Sequence, residues 1–129
     1  MDKQHQRKLL DDSFNKSYWF NKSYCTGKYS EEFNKLYETM APLISELDFD
    51  GCFVDLSNSR QRIDFNLSYS NGLFVSVARP INVEDDVYFF SVSMNKETLI
   101  IDRLEIINQT ELLDLISRLK NVECLLKKS

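Results

Sequence analysis

The chain has 129 residues, 43% of them hydrophobic and 28% charged, the composition of one soluble globular domain. It holds only three Gly and two Pro, no apolar run near the ~20 residues of a bilayer span, and no apolar leader behind Lys3, Arg7 and Lys8. A single cytoplasmic domain, free of long linkers and of membrane segments, is therefore expected. The net charge of −4 is unevenly spread: residues 1–28 sum to +3, residues 29–119 to −9 and residues 120–129 to +2. An acidic body disfavours non-specific nucleic-acid binding through its main surface and suits a basic protein partner.

Residues 1–10 are polar and show no periodicity, so a frayed tail is expected there. Asp11, Asp12 and Ser13 are helix-start residues, and Leu10, Phe14 and Tyr18 follow one another at a spacing of four. They predict a short helix from Ser13 to Tyr24, ended at Thr26-Gly27. Within it Phe14-Asn15-Lys16-Ser17-Tyr18 recurs as Phe20-Asn21-Lys22-Ser23-Tyr24, too short a repeat for a repeat architecture. Residues 11–27 thus form an aromatic and basic segment ahead of an α+β body over 28–126.

Ser30, Glu31 and Glu32 open the next predicted helix. Phe33, Leu36, Tyr37, Met40, Leu43, Ile44 and Leu47 form its apolar stripe, with Pro42 off the stripe and expected to kink or split it. Five strands are predicted next, over Cys52–Leu56, Arg62–Tyr69, Leu73–Arg79, Val87–Met94 and Thr98–Ile107. Asn71-Gly72, flanked by alternating apolar and polar residues, predicts a type I′ hairpin turn. Asn108 or Thr110 should cap a last helix, whose apolar face includes Leu112 and Ile116. Consecutive strands with short connections pair as antiparallel neighbours. The expected fold is α+β, an antiparallel meander of about five strands packed on N-terminal helices and one C-terminal helix in a two-layer sandwich. Tyr88 and Phe89 point to opposite faces of the fourth strand, so the sheet is expected to be covered on both sides, by its own helices or by a second copy in a homodimer.

The chemistry is narrowed by exclusion. The sole histidine, His5, lies in the predicted tail, which removes histidine triads and histidine-based metal sites. Cys25, Cys52 and Cys124 are odd in number and widely spaced, unlike a disulfide framework or a zinc site. Asp48-x-Asp50 opens like a calcium loop, but the glycine and glutamate that should follow are missing. The three glycines are isolated, so there is no phosphate loop. No cofactor or metal is expected. Arg60 and Arg62 share a face if their strand begins early, and such a pair can grip a carboxylate or phosphate or protect a strand edge.

The most unusual stretch is 14–29, where aromatics alternate with Lys16, Lys22 and Lys28. Its residues Tyr18, Trp19, Phe20, Lys22 and Tyr24 are the candidate partner-binding group, because such side chains make protein hot spots. Glu84, Asp85 and Asp86 are candidate rim residues for a basic partner. The functional expectation is a non-enzymatic protein-binding module: an adaptor, a chaperone-like subunit or an inhibitor of the immunity-protein type. The alternative is a nucleic-acid-binding accessory protein, with single strands stacked on segment 14–29.

Overall fold

A computed structural model describes residues 2–22, 30–47, 49–57, 61–81, 87–95 and 97–119. Five strands form one sheet: β1 (Gly51–Ser57), β2 (Arg62–Ser68), β3 (Leu73–Pro80), β4 (Tyr88–Met94) and β5 (Thr98–Ile106). They follow the order β1-β2-β3-β4-β5, each pair antiparallel. Helices α1 (Lys3–Lys22) and α2 (Ser30–Ile44) precede the sheet, and α3 (Gln109–Leu119) follows it. The α+β meander is the expected fold, and each strand begins and ends within one residue of its predicted bounds.

Alternation decides which sheet face is covered. Val54 and Leu56 of β1, Ile63, Phe65 and Leu67 of β2, Val75 and Val77 of β3, and Tyr88, Phe90 and Val92 of β4 are buried. They face Phe33, Tyr37, Met40 and Ile44 of α2, and Leu112 and Ile116 of α3. Apolar area removed from water between these layers is the main favourable term of the fold. A ring stack joins the layers: Phe14 of α1 lies 4.0 Å from Tyr37 of α2, which lies 6.2 Å from Phe65 of β2. Both rings of each pair are nearly parallel, a favoured aromatic geometry. At the far end the Tyr69 hydroxyl donates to Ile116 O at 3.1 Å and Asn71 Nδ2 donates to Leu119 O at 2.8 Å, holding the last turns of α3. The first turn is capped by Asn108, whose Oδ1 accepts from Glu111 N at 3.1 Å.

The N-terminus corrects the sequence reading. Instead of a frayed tail, α1 begins at Lys3, and Gln6 is 1% exposed. The Gln6 amide group donates from Nε2 to Ser45 O at 2.8 Å and Leu47 O at 2.6 Å, while its Oε1 accepts from Phe49 N at 3.2 Å. These carbonyls lie just beyond the end of α2, where backbone groups run out of intrahelical partners. Further along, Val54 N donates to Ser13 Oγ at 2.6 Å and Leu56 N donates to Ser17 Oγ at 2.9 Å. The match is geometric: four helical residues rise about 6 Å and two strand residues about 6.7 Å. Two serines one helical turn apart therefore meet alternate N–H groups of the β1 edge.

Two other expectations change. Pro42 neither splits nor stops α2, which runs on to Ile44; Pro42 and Glu38 are both exposed, so water can reach the Glu38 carbonyl that the missing Pro42 N–H leaves unbonded. The β2–β3 turn is not type I′. Gly72 N bonds Tyr69 O at 3.1 Å, so Ser70 and Asn71 are the central residues, and Gly72 alone takes a positive φ, of 92°. This is a longer loop closed by a glycine bulge, and it frees Asn71 to hold α3.

Replacing Gln6 with Ala should destabilise the fold by about 2–4 kcal/mol, because two carbonyls and one N–H lose their partner in or near the core. Urea denaturation should show this as a lower midpoint with unchanged slope. A second outcome concerns pH. Burial, with the hydrogen bond to Asp11, holds the Tyr37 phenol well above its ordinary range, and burial pushes the Cys52 thiol up to about 11. The folded chain therefore keeps protons that the unfolded chain releases from about pH 8.5 upward. Stability should be undiminished below that pH and fall as pH rises through 11, and the fall should be shallower in Tyr37→Phe. Denaturation midpoints taken from pH 7 to 11 check it.

Candidate functional site

The two edges of the sheet differ. The β1 edge is sealed by α1 through Ser13 and Ser17. The outer edge of β5 has no strand or helix paired along it among the described residues. This edge is apolar: Leu99 is 56% exposed, Ile100 51%, Leu104 45% and Ile107, just past the strand, 71%. Bare edge strands normally carry protective charge or are kept short, because their free N–H and C=O groups template pairing with another chain. Here Asp102, Arg103 and Glu105 supply charge, interleaved with apolar residues in a strand of nine.

The register of β5 against β4 is irregular. Shifts fall between Phe90 and Val92 and between Val92 and Ser93. The consecutive apolar run Leu99-Ile100-Ile101 cannot alternate, and the shifts absorb it by turning extra residues toward solvent. At the first shift Arg103 takes a φ of 52°, uncommon for a residue with a Cβ. Its N–H donates to Ser91 Oγ at 3.2 Å, and its guanidinium lies 5.2 Å from the centre of the Phe89 ring. Bulges of this kind re-aim side chains.

Among the described residues the helices pack on one side of the sheet, and none covers the other face. On it a hollow of about 200 Å³ is lined by Arg62, Asp64, Ser76, Ala78, Phe89, Ser91 and Arg103. A neighbouring hollow of about 410 Å³ shares Arg62, Phe89 and Arg103 and adds Pro80. Arg62 Nε bonds Asp64 Oδ2 at 3.1 Å, and Ser76 Oγ donates to Asn66 Oδ1 at 3.0 Å. Phe53 and Phe74 pack on the same face with ring centres 6.1 Å apart.

The sequence-predicted group lies beyond what the described side chains cover. Tyr18, Trp19, Phe20 and Lys22 fall in the last turns of α1, but their side chains lie outside the described ones, and Tyr24 lies outside the described residues. Glu84, Asp85 and Asp86 also lie outside them, as does Arg60. The expected pairing of Arg60 with Arg62 lies partly outside the described residues; Arg62 and Arg103, far apart in sequence, line one hollow because β2, β3, β4 and β5 lie side by side. The exposed residues of β5 were missed as a group, although the broken alternation at 99–101 was a readable signal of a two-sided or bulged strand. Among the described residues no three His, Cys, Asp or Glu side chains group to hold a metal ion, and no helix is long and apolar enough to cross a membrane. No protein-family model matches the chain, and no curated protein and no solved structure does either.

Proposed function

We propose that this chain is a non-enzymatic protein-binding module that takes an extended segment of its partner onto the free edge of β5. The asymmetry of the two sheet edges carries the reading: one edge is sealed by side-chain hydrogen bonds from α1, and the other is left open with four exposed large apolar residues at or beside it. Strand addition uses such an edge, with main-chain hydrogen bonds for affinity and alternate side chains for specificity. Asp102 and Glu105 outnumber Arg103 along β5, and residues 29–119 sum to −9, so a partner segment with apolar residues interspersed with Lys or Arg fits best.

Selection from a displayed library of random peptides tests this. Recovered peptides should alternate apolar and basic residues, and amide protons of β5 should exchange more slowly in their presence. Leu104→Lys should weaken binding by about tenfold or more, equivalent to about 1.4 kcal/mol. Peptides that protect another part of the chain, or that bind Leu104→Lys equally well, would falsify the proposal.

A further inference from the structure

The open face of the sheet presents a second kind of chemistry, independent of the β5 edge. We propose that the hollow between Arg62 and Arg103 binds a small organic dianion, a phosphate monoester or a dicarboxylate.

Four observations converge on it. First, the two guanidinium groups line one hollow although they come from β2 and β5. Planar guanidinium forks match the oxygens of carboxylate and phosphate. Secondly, both arginines are set by unusual backbone. Arg103 itself has a φ of 52°, and Gln61, directly before Arg62, also has a φ of 52°. Backbone of this kind costs energy and collects at ligand sites. The third observation is how the two groups are held. Asp64 engages Arg62 through Nε, and the terminal nitrogens of Arg62 have no hydrogen-bond partner among the described residues. Arg103 is held over Phe89 and has no carboxylate partner among the described residues. Fourthly, Ser91 Oγ accepts from the Arg103 N–H, which leaves the hydroxyl proton of Ser91 able to donate into the hollow.

Charge agrees with this reading. The lining holds two guanidinium groups and one carboxylate, Asp64, and is therefore net positive within an acidic body. Glu105, the register partner of Phe89, borders the hollow without lining it, and it disfavours large polyanions. The volume of about 200 Å³ admits one phosphate or carboxylate group, and the adjoining hollow, lined by Pro80 and Phe89 and sharing Arg62 and Arg103, admits the short body attached to it, including the second carboxylate of a dicarboxylate. The open shape and partial solvation put the affinity in the millimolar range for the bare anion.

The test is a titration of the full chain with inorganic phosphate and, separately, with succinate, followed by backbone amide chemical shifts at constant ionic strength. Saturable shifts are expected at Arg62, Ser76, Ser91 and Arg103. The probe that saturates at lower concentration identifies the ligand as a phosphate monoester or a dicarboxylate. Arg103→Asn removes the guanidinium while keeping a residue that tolerates positive φ. It should weaken binding by about tenfold. Arg62→Gln should act likewise, and Arg118→Ala, on the exposed side of α3, should not. Absence of saturable shifts with both probes overturns the proposal. So do shifts that persist unchanged in well-folded Arg103→Asn and Arg62→Gln.

Discussion

The fold depends on how α1 satisfies backbone groups that the sheet and α2 leave unpaired. A strand at the edge of a sheet, and the chain just past a helix end, both present N–H and C=O groups that lose water without gaining a partner when buried. The Gln6 side chain answers three of them at once, where the chain passes from α2 into β1. Ser13 and Ser17 answer two more along β1. With those contacts made, Leu10 and Phe14 are fully or nearly buried, and the Phe14–Tyr37–Phe65 stack ties helix layer to sheet. Without them the β1 edge would be as bare as that of β5, and the turn after α2 would hold buried, unsatisfied carbonyls.

The same polar layer holds the charged surface of α1 in place. Asp11 accepts from the Tyr37 hydroxyl at 2.5 Å and from Arg7 Nε at 3.0 Å, while the Arg7 guanidinium lies 5.6 Å from the Tyr37 ring centre. Lys3 pairs with Glu46 beyond the end of α2. The exposed pair contributes little by itself, since exposed ion pairs gain modest energy and lose side-chain freedom. The Tyr37–Asp11 bond is different, because its hydroxyl is otherwise shut in by the core and would lack a partner.

Protection is concentrated at one end of the sheet and irregularity at the other. The pairings from β1 to β4 run in unbroken register, and both register shifts fall between β4 and β5. The last strand can bulge because, among the described residues, it has a neighbour on one side only, so an extra residue there disturbs one ladder instead of two. That freedom lets Arg103 turn over Phe89 and leaves Leu99, Ile100 and Leu104 facing water. An open sheet face and an open edge thus meet at one strand, and β5 borders both candidate binding regions.

Much of the architecture was legible in the sequence. Period-two alternation placed β2, β3 and β4, because one face of each central strand must be apolar and the other need not be, and turn residues on either side bounded β1 and β5. The 3.6-residue stripe of Phe33, Tyr37, Met40 and Ile44 placed α2, and Asn108 placed the start of α3. The first turns of α1 were not legible, because the buried residue there is Gln6, and the sealing role of Ser13 and Ser17 farther along was not legible either. These residues count as polar in any periodicity, and they face inward only because specific backbone groups of β1 and the α2 terminus await them. The turn type after β2 was likewise settled by a distant partner: Asn71 takes its place to hold Leu119 O as well as to turn the chain. Composition, alternation and charge by themselves determined an acidic α+β domain with a meander sheet. Tertiary structure alone decided which edge is sealed, which face is open, and that Arg62 and Arg103 share a hollow. Those outcomes depend on contacts between residues some forty positions apart, and local sequence pattern carries no record of such distances.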